Sequence, residues 1–155
     1  MPSVDMGALR ARLANLPTET FEAGATVLSA GSTTGRVLIL REGAVEVLRD
    51  GVRIVEVSDP GAVFGELALL LKRPHTADVR AVRRSVFRVA DGDTFFRDDP
   101  LAALYVATVL AHRLDRANDR LLEVQRKLEQ DQHPPGAIAK MIETIGESLR
   151  FGPPL

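Results

Sequence analysis

Between Thr18 and Val89 no single pattern lasts: short runs rich in branched and aromatic residues recur, and glycines or an aspartate–glycine pair interrupt them. The runs lie at Thr26 to Ser29, Arg36 to Leu40, Ala44 to Arg49, Val52 to Val57, Ala77 to Ala81 and Ser85 to Val89. Within each group they start eight to ten residues apart. A packed helix needs a longer uninterrupted repeat, so this spacing excludes a helical bundle here and argues for an all-β sandwich or barrel. Asp50-Gly51 is the strongest turn signal. It joins two alternating runs, and a two-residue type I′ turn needs positive φ at both of its positions. Gly24, Gly31, Gly43 and Gly61 mark other corners.

The flanks are helical. Asp5 can cap a short helix with Leu9, Leu13 and Leu16 on one face, and Pro17 ends it. Beyond Asp91 a helical pattern runs from about Pro100 to about Gln130, which at 1.5 Å per residue is roughly 45 Å long. Leu110, Leu114, Ala117, Leu121, Val124 and Leu128 recur there at heptad a and d spacing. Two readings of this stripe stand, packing on the protein's own barrel and a parallel dimer seam; its register and length favour the dimer. His133-Pro134-Pro135-Gly136 stops the helix, and Ile138, Met141, Ile142, Ile145 and Leu149 form the apolar face of an amphipathic tail.

The expected fold is therefore α+β: an antiparallel β-barrel with a short N-terminal helix and a long C-terminal helix. Residues 1–17 form the lead-in, 18–132 the main domain (barrel 18–90, long helix 100–130) and 133–155 the tail.

Composition narrows the function. At 155 residues, 45% hydrophobic and 26% charged, the chain suits one domain with a core. A net charge of −1 supplies no global field for a nucleic-acid backbone or an anionic membrane. With no cysteine there is no disulfide, thiolate metal site or thiol nucleophile. His75, His112 and His133 lack metal-ligand spacing, and no serine sits in a nucleophile elbow, so no catalytic or metal-binding residue is assigned and an enzyme is not expected. The N-terminus has no signal-peptide pattern, and the longest apolar run, Leu67 to Leu71, is too short to span a bilayer. The expectation is a soluble cytoplasmic protein.

The most informative stretch is Gly61-Ala62-Val63-Phe64-Gly65-Glu66-Leu67-Ala68-Leu69-Leu70, followed by Pro74-His75-Thr76-Ala77-Asp78-Val79-Arg80-Ala81. A short helix beginning at Gly65 would aim unpaired N–H groups and its positive dipole end at an anion. Gly65 permits close backbone approach. Glu66 offers a carboxylate to a hydrogen-bond donor, whereas Phe64 and Leu67 read as barrel core.

These residues resemble the phosphate-binding cassette of the cyclic nucleotide-binding domain family, to which catabolite activator protein belongs. The likeness spans about Thr18 to Gln130. It implies a jelly-roll-like barrel, a short cassette helix, a cyclic nucleotide (cAMP or cGMP) as the candidate ligand, and Glu66 on the ribose 2′-hydroxyl. Site residues carried over are Phe64, Gly65, Glu66, Leu67, Ala68, His75, Thr76, Ala77 and, at the purine-contacting place on the long helix, Asn118. Asn118 also reads as a solvated rim residue.

The chain departs from the family where the resemblance implies a phosphate-binding arginine, because His75 stands there. Arginine gives a permanent charge and two parallel hydrogen bonds; histidine gives one and is mostly neutral near pH 7. Asp78 adds a carboxylate on the strand face shared with Thr76, while Arg73 lies two residues from the family position.

Bacterial relatives attach a winged helix after the long helix, but the residues from Gln132 to Leu155 are too few for one, so direct DNA binding is not expected. Two functions remain. One is a stand-alone regulatory domain with weak or no cyclic nucleotide binding, acting through homodimerisation on the long helix or through a protein partner, or sensing another ligand through the same pocket. The other is a competent cyclic nucleotide sensor that uses Arg73 or protonated His75.

Overall fold

Asp5 caps the first helix, α1 (Met6–Ala14), its carboxylate accepting the Gly7 and Ala8 N–H groups. Leu9 is the helix's buried anchor, 1% exposed. The chain then forms β1 (Thr18–Phe21), β2 (Thr26–Leu28), β3 (Arg36–Arg49), β4 (Val52–Val57), β5 (Val63–Phe64), α2 (Glu66–Leu70), β6 (Asp78–Asp91), α3 (Gly92–Asp98) and α4 (Pro100–Gln130). This computed structural model describes residues 5–130 together with Gly136, Lys140 and Glu143. The expected tail face from Ile138 to Leu149 lies outside the described residues, as does His133. The chain divides into two units, Met1–Val109 and Leu110–Leu155, and α4 belongs to both.

Everything in the first unit is arranged around two strands of 14 residues, β3 and β6, paired antiparallel. At one end, β1 pairs with β6 through Thr18↔Arg88 to Phe21↔Ser85, and β5 pairs with β3 through Leu38↔Phe64 and Ile39↔Val63. At the other end, β2 pairs with β6 at Val79 and Arg80, and β4 pairs with Val45 to Arg49 of β3. The long pair thus carries a four-stranded layer at each end. Leu38, Leu40, Phe64 and Phe87 from one layer form a single buried cluster with Leu28, Val45 and Val79 from the other. Phe87 stacks edge-on against Phe21 and Phe64, with centroids 5.7 and 5.9 Å apart. The sheet folds over its own core in the expected jelly-roll-like arrangement, without closing.

The expected breaks at Leu40/Ala44 and Ala81/Ser85 are corrected: each pair of short runs is one continuous strand. Gly43 makes a bulge there instead of a turn. The β3–β6 register shifts between Leu40 and Glu42, between Glu42 and Ala44, and between Ala44 and Val45. Gly43 has φ +112°, and a Cβ on it would stand 2.5 Å from Ser85 Cα and 2.7 Å from the Arg84 carbonyl oxygen. Ser85 is fully buried; its Oγ accepts the Ala44 N–H at 3.1 Å and donates to the Arg83 carbonyl at 2.7 Å. The Asp50-Gly51 turn forms as expected, with φ of 52° and 76°.

Leu38 and Leu40 face the core, and alternation sends Val37 and Ile39 to the other face, yet all four are buried. Both faces of this part of β3 are therefore covered. Tyr105, on the first part of α4, donates its hydroxyl to the Gly61 carbonyl. That bond ties the helix to the corner just before β5.

Gly43→Ala is expected to destabilise the protein by about 2 to 5 kcal/mol, combining left-handed backbone strain with overpacking. Ser85→Ala should cost about 1 to 3 kcal/mol, since it orphans the buried Ala44 N–H. Urea unfolding measures both; a loss below about 1 kcal/mol for Gly43→Ala would contradict the bulge as the bending point.

Candidate functional site

The cassette starts where β5 ends. Val63 and Phe64 are buried in the sheet, 0% and 7% exposed, which fixes the point from which the chain must turn. Gly65 makes that turn at φ +87°, and a Cβ there would overlap the Arg36 carbonyl oxygen of β3. No other residue fits so close to that strand. Glu66 follows, 2% exposed, at the start of α2. Ala68 is half-buried. Leu69 packs against Gly92 closely enough that a Cβ on Gly92 would stand 2.9 Å from Leu69 Cδ2. The Arg73 N–H returns to the Ala68 carbonyl at 3.0 Å and closes the helical turn.

His75 is held by its backbone and its ring. Its N–H donates to the Ser32 carbonyl at 2.9 Å, and its carbonyl accepts the Gly31 N–H at 2.7 Å. The ring nitrogen Nε2 lies 3.1 Å from Thr34 Oγ1. Its Cε1 would be 3.7 Å from a Cβ on Gly65, so the imidazole sits over the turn into α2. Nδ1 makes no hydrogen bond among the described residues. No buried side-chain nitrogen or oxygen among them is unpaired, so Nδ1 keeps access to solvent. The residue as a whole is 8% exposed, and this burial lowers its pKa below the usual 6.5.

The remaining expected residues divide. Thr76 is exposed and Ala77 half-buried. Asp78 Oδ1 accepts the Ala30 N–H at 2.7 Å, so its carboxylate is engaged with the β2–β3 loop. Leu67 corrects the expectation of a core residue: it is 44% exposed, because a single-turn helix buries one side and Glu66 and Leu69 occupy it. Asn118 is exposed on the part of α4 that belongs to the second unit. Thr34 was not legible as a site residue. Its signal was the hydroxyl run Ser32-Thr33-Thr34 before Gly35, a loop that reads in sequence only as a corner.

The charge around the cassette is uneven. Arg36 is paired with Glu19 and Arg80 with Glu46. Lys72 and Arg73 are exposed, and Arg73 has no ion pair among the described residues. Among the cassette's charged residues Glu66 alone is buried, and it is an acid.

His75 folds with a pKa below that of the unfolded chain. Its contribution to stability is complete above about pH 6.5 and is lost as pH falls from there through the folded value, because the unfolded chain gains the proton first. The ring C–H resonances of His75 should titrate with a midpoint below 6.5 in NMR; a midpoint above that value would show a charge-stabilised imidazolium.

The sequence profile of the cyclic nucleotide-binding domain family matches residues 18–97. A cAMP-dependent protein kinase regulatory subunit from Yarrowia lipolytica is 36% identical over 93 residues, 60% of this chain and 24% of that protein. The chain thus spans about a quarter of that relative's length. Among solved structures, the catabolite activator protein of Thermus thermophilus superposes with a TM-score of 0.65 at 19% identity, covering 97% of this chain and 89% of that one. The regulatory subunit of a cAMP-independent protein kinase A from Trypanosoma cruzi, bound to guanosine, superposes with a TM-score of 0.50 at 25% identity, covering 53% and 29% of the two chains. With more than half of its residues matching the family profile, and with the β5–Gly65–α2 cassette built into a jelly-roll-like sheet, this chain belongs to the cyclic nucleotide-binding domain family.

Proposed function

We propose that this chain is a regulatory domain of its family in which the hold on a cyclic phosphate is weak, and that its output passes through self-association or a protein partner. The observation that carries this reading is His75 buried and bonded to Thr34, where the resemblance implies a phosphate-binding arginine. A neutral imidazole forgoes a charge-assisted hydrogen bond of about 1.5 to 3 kcal/mol, which corresponds to roughly 10- to 150-fold in affinity. The guanosine-bound relative supports a fold that holds a ligand lacking phosphate altogether.

Self-association is read from α4. Leu114 and Val124 are each 43% exposed, and with Leu110, Ala117, Leu121 and Leu128 they continue one heptad seam. A helix carrying such a stripe in water is stabilised by a second copy. No helix among the described residues is long and apolar enough to cross a membrane.

Calorimetric titration with cAMP and cGMP tests the ligand part. The expected outcome is no saturable binding at low micromolar concentration, with a gain of roughly 10- to 150-fold on His75→Arg. Low-micromolar binding that is lost in Arg73→Ala would put the competent sensor in its place, since Arg73 is exposed and without an ion-pair partner among the described residues. Sedimentation equilibrium tests the seam. The unaltered chain should be a dimer and the Leu114→Asp/Val124→Asp variant a monomer of unchanged helix content; a monomeric unaltered chain would remove this route of output.

A further inference from the structure

We infer that the cassette of this chain receives an uncharged ribonucleoside, with a ligand hydroxyl at His75 Nδ1 where the family places a cyclic phosphate. The inference rests on the reading that phosphate is held weakly, and adds what is held instead.

The argument begins with the two ring nitrogens of His75. Nε2 is occupied by Thr34 Oγ1 at 3.1 Å, while Nδ1 has no partner among the described residues and retains solvent access. Nδ1 is therefore an open hydrogen-bonding position beside the turn at Gly65. An arginine there would present only donors and a fixed charge, which suits an anion. A neutral imidazole presents either a donor or an acceptor at Nδ1, depending on its tautomer, and Thr34 makes both tautomers available. Its hydroxyl donates to Nε2 when Nδ1 carries the proton and accepts from Nε2 when Nδ1 does not. One of its lone pairs is already given to the Arg36 N–H at 3.4 Å, and a second remains.

A group that can donate or accept pairs best with one that does both, and a hydroxyl does so where a phosphate oxygen only accepts. The charges agree. The buried charged side chain of the cassette is the acid Glu66, Asp78 stands on the strand that follows, and Lys72 and Arg73 are exposed. A monoanion entering here finds no buried cation among the described cassette residues to compensate it, whereas a neutral polyol brings no charge to compensate. Burial keeps the imidazole neutral, which supports the same assignment.

The test titrates the full chain calorimetrically with adenosine, guanosine, cAMP and cGMP. Expected is saturable binding of adenosine or guanosine at least about tenfold tighter than of its own cyclic monophosphate. His75→Arg should invert that preference. Thr34→Val keeps the ring but removes the relay; it should weaken nucleoside binding by roughly 2- to 12-fold, the range of one neutral hydrogen bond, with no gain for the cyclic nucleotides. Unchanged melting temperatures would show that the variants fold, and Thr34→Val carries the test if His75→Arg does not. If neither nucleoside binds while His75→Arg gains cyclic nucleotide, the inference is overturned and the weak-phosphate reading stands. Tight cAMP or cGMP binding alongside still tighter nucleoside binding would overturn that reading and leave the inference. A cyclic nucleotide that outcompetes its nucleoside on the unaltered chain overturns both.

Discussion

The contact between Gly43 and Ser85 decides how the sheet of the first unit bends. Two strands of 14 residues paired without interruption would make a long twisted ribbon, with one face of each residue pair left in water. The bulge at Gly43 bends the ribbon, and the Ser85 hydroxyl satisfies the backbone that the bulge leaves unpaired. After the bend, Leu38, Leu40 and Phe87 on one side can meet Val45 and Val79 on the other in one cluster. The hydrophobic core follows from a local backbone irregularity, because without it these side chains lie on separate parts of a ribbon.

The site inherits its position from that bend. β5 is only two residues long and exists because it pairs with the part of β3 before the bulge, where both faces are covered. Gly65 must then turn directly against the Arg36 carbonyl, and this delivers Glu66 into a buried place and leaves Leu67 outside. On the other side, the β2–β3 loop brings Ser32 and Thr34 to His75 through two kinds of bond, main chain to main chain and hydroxyl to ring. Three segments distant in sequence are thus set by strands whose register the bulge determines.

This explains what could be read from the residues and what could not. The β-rich runs, the Asp50-Gly51 hairpin, the Asp5 cap and the helix over 100–130 are local signals, and each formed where its residues placed it. The breaks expected near Gly43 and between Ala81 and Ser85 did not form, since a glycine with positive φ serves a bulge as well as a turn and only the partner strand decides between them. β1, β5 and α3 are too short to carry a period of their own. In the candidate site, Gly65, Glu66 and His75 fall within eleven residues of one another, so a short motif was enough to single them out. Thr34 was not: it is 41 residues from His75, and nothing in its own neighbourhood distinguishes a ring partner from a corner hydroxyl.

The neutral side chain at His75 also bears on what the cassette costs to fold. A guanidinium at a position 8% exposed would carry a desolvation cost that a neutral side chain does not. A neutral imidazole bonded to Thr34 has no such debt. Its backbone bonds to Gly31 and Ser32 and its ring bond to Thr34 join β2–β3 to the cassette whether or not anything is bound. These bonds hold the cassette in place without a charge that a ligand would have to compensate. A ligand bound here would add to the stability of this folded cassette by mass action instead of creating it.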